Sequence, residues 1–401
     1  RSGLVLWTDR FVRSSEEVAA APGEPAASIA AVLNCALVDR DAANTRVSTE
    51  AFGLYLYACA GAFQADDNGQ RMLAVTRRLV KAAPRFAGAH AMHAIAAARV
   101  AVSTETPDEA AALHAEAKLA AETALKRDPR TAKAYSALVL NEGLLTGRMR
   151  QDWAAEARYL KAALSIDPDL APARNEYAAF LRATGRLRDA IEFTRASSAN
   201  EDPRYGGDLR TAMMLAAQGD LAAAEEELKR REARDGASVD AVRATIAFWW
   251  GDPRLALSNL RALDDPDVRA QSPCLTAYLT ALELRRKAHA RGLPAGCEAI
   301  DPTTRVRLLA RQGDVDGAFA VLGDRMPGGP VLLYYPEMAV VRADPRFWRL
   351  AERWGLLDYW RASGRWPDVC AAQDCPRAAA LALGARPIRA GSGAENPAVG
   401  Q

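Results

Sequence analysis

One phrase recurs four times along the chain: TGRLRDAIEF from Thr184, QGDLAAAEEEL from Gln218, WGDPRLALSNL from Trp250 and QGDVDGAFAVL from Gln312. In each, a glycine is followed by Arg or Asp, and an alanine stands five residues after the glycine: Gly185 with Ala190, Gly219 with Ala224, Gly251 with Ala256, Gly313 with Ala318. Successive glycines are 34, 32 and 62 residues apart, close to one, one and two units of about 34. A second phrase lies upstream, with Pro84, Pro129 and Pro168 each followed by A-x-A: Ala87 and Ala89, Ala132 and Ala134, Ala171 and Ala173.

These positions dictate a helix pair. A glycine takes the left-handed turn that closes the first helix, which other residues resist. A proline after an apolar helix end cannot continue that helix but can open the next. Alanine lets the second helix approach the first, and apolar residues at three- and four-residue spacing seal one pair on another. A single pair cannot bury both its faces, so the pairs stack. The expected fold class is all-α.

With these phrases in place, the chain resembles tetratricopeptide-repeat (TPR) proteins from about Ser48 to Leu322. The best unit, Ala171 to Pro203, has Tyr177, Ala178, Leu181, Gly185, Ala190, Phe193 and Pro203 near the family's places. The resemblance implies a right-handed helical solenoid. Two units carry insertions, VSTETPDEA and LLTGRMRQDW, and Asp264 to Thr304 lacks the glycine-alanine phrase.

The ends differ from the middle. Arg1 to Arg13 alternates as a strand would, followed by APGEP and the apolar helix AASIAAVLNCALV. A lone strand needs a sheet from elsewhere, and the chain opens at Arg1 as if inside a longer parent. L-W-T-D-R-F and its helix resemble the last strand and helix of TolB-like α/β modules, which precede TPRs in bacterial membrane-anchored regulators and adenylyl-cyclase-type proteins. The closing stretch resembles that of the same proteins at Asp344, Pro345, Arg346, Phe347, Gly355, Leu356, Tyr359, Trp360, Gly364, Trp366, Pro367, Asp368 and Cys370. The expected organisation is a TolB-like remnant over 1–46, a degenerate TPR solenoid over 47–326, a capping segment over 327–375 and a disordered tail over 376–401. In the cap, Phe347, Leu350 and Trp354 form one helical stripe that Tyr359, Trp360 and Trp366 extend over the last helix pair.

The six cysteines fall into neighbouring pairs, Cys35 with Cys59, Cys274 with Cys297, and Cys370 with Cys375. They form no C-x-x-C and have no histidine at zinc-finger spacing. Buried thiols in a reducing cell and disulfides in an oxidising one both fit them. Cys59 on the apolar FGLYLYACAGAF suits burial, whereas Cys370 and Cys375 in a loop-like stretch favour a disulfide and, with it, an oxidising compartment. The resemblance implies the periplasmic part of an inner-membrane-anchored protein, with the cytoplasm as the alternative.

Chemistry is sparse. Lys and Arg number 52 against 50 acids, mixed along the chain, so no basic field marks a nucleic-acid or membrane surface. No apolar run reaches the roughly 20 residues that span a bilayer. G-x-G-x-x-G, P-loop, G-x-S-x-G and H-E-x-x-H patterns are absent. His90 and His93 share a helix face as ligands would, but no third ligand is placed, so both read as packed; His114 and His289 read as isolated and exposed. We therefore expect no metal, no cofactor and no catalysis by this chain. The expected role is a sensory or scaffolding interaction region of a bacterial signalling or transcriptional regulatory protein, gripping a peptide or partner protein in its concave face. The alternative is the regulatory half of an adenylyl-cyclase-type enzyme. Candidate contact residues on first helices are Asn141, Arg174, Asn175 and Arg210, with Trp249 able either to pack or to reach the groove.

Overall fold

The computed structural model describes residues 32–33, 35–36, 47–61, 69–104, 106–142, 151–197, 207–235, 238–251, 273–278, 293, 297, 300–323, 329–372 and 374–384, and helix is the only regular structure among them. The expected strand at the N-terminus lies outside the described residues. The helices are α1 (Thr49–Gly61), α2 (Gln70–Ala82), α3 (Ala87–Ser103), α4 (Pro107–Arg127), α5 (Ala132–Glu142), α6 (Trp153–Ile166), α7 (Ala171–Ala183), α8 (Leu187–Ser197), α9 (Gly207–Ala217), α10 (Leu221–Asp235), α11 (Asp240–Trp250), α12 (Pro302–Arg311) and α13 (Val315–Leu322). After them come two short 3₁₀ turns, Pro330–Tyr334 and Pro336–Met338, then α14 (Ala339–Ala343), α15 (Arg346–Arg353), α16 (Leu356–Ser363), a 3₁₀ turn at Asp368–Ala372 and α17 (Cys375–Ala382). No helix among the described residues is long and apolar enough to cross a membrane.

The recurring phrases set the turns. Gly185, Gly219 and Gly313 have φ of 81°, 89° and 78°, the left-handed region that glycine enters without a Cβ penalty. The same pair of bonds closes each turn: Gly185 N–H to Arg182 O and Arg186 N–H to Leu181 O, then Gly219 to Ala216 and Asp220 to Leu215, then Gly313 to Ala310 and Asp314 to Leu309. Such bonds satisfy carbonyls that a helix end leaves open. Ala190, Ala224 and Ala318 are buried where the second helix meets the first. Gly251 departs from the pattern, with φ −100° and ψ −158°.

Each helix from α1 to α10 packs on its sequence neighbour, and first helices of successive pairs touch as well: α1 on α3, α3 on α5, α5 on α7, α9 on α11. This packing of helix pairs is consistent with a helical-repeat array. One apolar core, from Val32 to Leu138, fills the first helices. Another runs from Val139 to Ala379, so the closing segment shares its core with the middle of the array. All six cysteines are paired, Cys35–Cys59, Cys274–Cys297 and Cys370–Cys375. Cys59 is therefore buried as a disulfide sulfur and not as a thiol.

The closing segment departs from the expected cap. Its first part, Pro336–Met338 and α14, lies on α12 and α13, the last pair. The aromatic stretch then continues back to α6, α7 and α8. Trp153 Nε1 donates to Trp354 O (2.8 Å), Tyr334 Oη to Ala183 O (3.0 Å) and Trp360 Nε1 to Thr184 O (3.0 Å). Phe180 meets Tyr359 edge to face with ring centroids 5.4 Å apart. The aromatics thus belong to the fold, but as a strap across the middle of the array.

A cap explains the docking point. Asp220 and Asp314 each accept an N–H from the first turn of the helix they open, Ala223 N at 3.0 Å and Gly317 N at 2.9 Å. In the α7–α8 turn the equivalent residue is Arg186, which cannot accept. Asp368 fills that place from 180 positions away: its Oδ2 accepts from Arg188 N at 2.8 Å, while its own N–H bonds Gly185 O at 2.8 Å. A carboxylate at this position offsets the exposed N–H groups and the positive helix end. Residues 376–384, which composition assigns to the disordered tail, are ordered here. Cys375 opens α17, which packs on α15 and buries Ala379 and Ala380, because a disulfide and two apolar turns anchor it.

Candidate functional site

Helical spacing places Arg174, Ala178 and Arg182 along one stripe of α7, at i, i+4 and i+8. The small Ala178 leaves a depression between the two guanidiniums. Phe193 and Thr194 of α8 and Arg210 of α9 also line it. Together with Asn175 they line an open recess.

Polar contacts hold its rim. Asn175 Oδ1 accepts from Arg210 Nη1 at 3.1 Å, which leaves the Asn175 amide N–H groups as donors. Arg174 Nη1 is 2.8 Å from Asp169 Oδ1 and also reaches Pro168 O. Burial pulls the Arg182 guanidinium down to about 10, and the neighbouring Arg210 charge adds to the shift. Glu176 stands among these arginines and would be their counter-charge, but burial pushes its carboxyl up, against the pull of Arg182, Arg210 and Arg99. The acid is thereby held toward its neutral form.

The sequence candidates separate here. Arg174, Asn175 and Arg210 come together in the recess. Asn141 does not: it is 2% exposed, with Oδ1 2.8 Å from His114 Nδ1, so His114 is not the isolated residue expected. Trp249 is also internal, at 7% exposure. The Arg307 guanidinium lies 3.5 Å from its ring centroid and 4.6 Å from that of Tyr335. Arg307 Nε bonds Glu337 Oε1, and Trp250 Nε1 donates to Glu337 Oε2 at 3.2 Å. The chain's own arginine thus fills the place a ligand cation would take between these rings. His90 Nε2 is 3.0 Å from Pro84 O, and His93 has Thr76 Oγ1 on one ring nitrogen and Glu116 on the other. Both are tied into the helix packing. No group of three His, Cys, Asp or Glu among the described residues is arranged to hold a metal.

Two recess residues escaped the sequence reading, Arg182 and Thr194. Arg182 had a visible signal, eight positions after Arg174 on the same helix. Thr194 had none, because its significance depends on what its hydroxyl fails to bond.

At the edge of this region, Glu156 of α6 is buried and accepts from Gln151 Nε2 at 2.7 Å. Burial pushes its carboxyl up to about 8, the Glu176 carboxyl adds to the rise and the Gln151 bond opposes it. The folded state therefore binds a proton that the unfolded chain releases near 4.5. That contribution is fully present below 4.5 and is lost as pH rises through about 8. Glu156→Gln, which imitates the neutral acid, should open a stability advantage over the native chain on the order of a few kcal/mol between acid and mildly alkaline pH. Melting both proteins at pH 5 and pH 8 checks this; a gap of constant size contradicts it.

No protein-family model matches the chain, and no curated protein matches it in sequence.

Proposed function

We propose that this chain is the non-catalytic, TPR-type interaction region of a bacterial signalling or transcriptional regulatory protein. It holds a peptide or partner protein on the face that carries Arg174, Asn175, Arg182 and Arg210. The observation that carries this reading is the convergence of polar and cationic side chains from α7 and α9 on one open recess of an all-helical array. Stacked helix pairs present such side chains from successive units to a single ligand. Three disulfides and no free cysteine support placement of this region in an oxidising compartment, the periplasm, since such bonds persist outside reducing cytosol.

Selection of phage-displayed peptides on the full chain tests the reading. Selected peptides should lose about tenfold or more in affinity for an Arg182→Ala/Arg210→Ala double variant, with an unchanged melting temperature. Unchanged peptide affinity would remove the contact role from this face.

A further inference from the structure

The recess has the donor set of an oxyanion site. Three guanidiniums border it, two of them, Arg182 and Arg210, close enough to repel one another. Among the described residues no carboxylate is hydrogen-bonded to Arg182, and the nearby acid, Glu176, is disfavoured as an anion by its burial. Cations crowded in a partly desolvated recess are stabilised by an anion that enters it.

A second observation is independent of charge. Thr194 lines the recess and is 5% exposed, yet its Oγ1 has no hydrogen-bond partner. The helical Thr123 and Thr245 satisfy that hydroxyl on the carbonyl four residues back, Leu119 and Ala241 at 2.7 and 2.8 Å, and Thr184 at the end of α7 does so on Phe180 at 2.9 Å. Thr194 forgoes the bond available to every helical threonine. A buried hydroxyl without a partner costs free energy that a bound acceptor would recover.

The geometry selects among anions. Arg174 and Arg182 come from α7, Thr194 from α8 and Arg210 from α9, so the donors come from three helices. A planar carboxylate is satisfied by one guanidinium fork. A tetrahedral group offers oxygens in several directions and can use donors on all three helices. We propose that the recess binds a tetrahedral oxyanion, the phosphoryl group of a phosphomonoester or free phosphate, with Arg182, Arg210 and the Thr194 hydroxyl as its principal donors. The assignment rests on the interaction reading above and names the chemistry recognised on that face.

Calorimetric titration of the full chain at low ionic strength with inorganic phosphate, phosphoserine and acetate provides the test. One equivalent of phosphate or phosphoserine should bind saturably and more tightly than acetate. Preference for phosphoserine identifies a monoester as the ligand, and preference for phosphate identifies the free ion. Arg182→Gln and Arg210→Gln should each weaken binding about tenfold or more, with Arg158→Gln, an exposed site on α6, leaving it unchanged. Thr194→Val removes only the hydroxyl and should weaken binding several-fold, which keeps the test decisive if an arginine variant fails to fold. Acetate binding as tightly as phosphate, no saturable binding, or full binding by Thr194→Val overturns the assignment. If the anions fail while selected peptides still depend on Arg182 and Arg210, the oxyanion chemistry falls and the interaction reading stands; anion binding without peptide binding gives the reverse.

Discussion

Gly185→Ala should destabilise the protein far more than Gly219→Ala, although the two glycines close equivalent turns with φ of 81° and 89°. Left-handed backbone alone costs an alanine roughly 1–2 kcal/mol. At Gly219 nothing lies within 4 Å of an added Cβ, so that cost is the whole effect. At Gly185 the Cβ would sit 2.4 Å from Pro367 Cβ and 2.6 Å from the Tyr334 ring. Neither can swing away: Tyr334 is buried and bonded to Ala183 O, and Pro367 is followed by Asp368, which caps α8. Displacing the strap should bring the total to about 3 kcal/mol or more, within the range that overpacking adds to backbone strain. Urea denaturation of both variants measures the difference. Equal losses would mean that the closing segment does not dock on this turn.

Trp360→Ala should be costlier still. Its side chain is 0% exposed, donates to Thr184 O and lies beside Trp366 at a centroid distance of 6.0 Å. Truncating a buried tryptophan removes about 3–5 kcal/mol through lost transfer energy and an unfilled cavity, and the Thr184 carbonyl loses a donor. Trp360→Phe separates these effects, because it keeps much of the volume and deletes the bond. Thermal melts with limited proteolysis provide the readout: the alanine variant should become cleavable between α14 and α17 at temperatures where the phenylalanine variant is protected. Equal protection of the alanine variant and the native chain would contradict the placement of Trp360.

Much of the array was legible because its determinants are local. A glycine needing positive φ and an alanine at a close helix contact are written within six residues, and at Gly185, Gly219 and Gly313 the backbone adopts the conformation they call for. The strap's docking point was not legible, because it depends on pairings between residues 150 to 200 positions apart. One trace of it stood in the sequence: Arg186 takes the place held by the capping acids Asp220 and Asp314. The candidate site was half legible. Polar residues on first helices singled out Arg174, Asn175 and Arg210, but periodicity cannot tell a recess from an internal hydrogen bond. Asn141 is buried by its partner His114, and Trp249 by an arginine from α12, neither of which is near in the chain.

The strap also changes how the chain must reach its native state. Units that touch only their neighbours form in any order, and each opens without the rest. Here the Trp153–Trp354 and Trp360–Thr184 bonds join residues 201 and 176 positions apart. Ordering them requires closure of a very long loop, whose entropy is lost before the contacts reward it. During synthesis, α6 to α8 emerge long before the residues that complete their surface. Their exposed aromatic and backbone groups must wait for Tyr334, Trp354, Trp360 and Asp368. Once seated, the strap makes the middle and the end of the array a single cooperative unit, so amides of α7 should exchange at the rate set by opening of the C-terminal segment and not by fraying of a neighbouring pair.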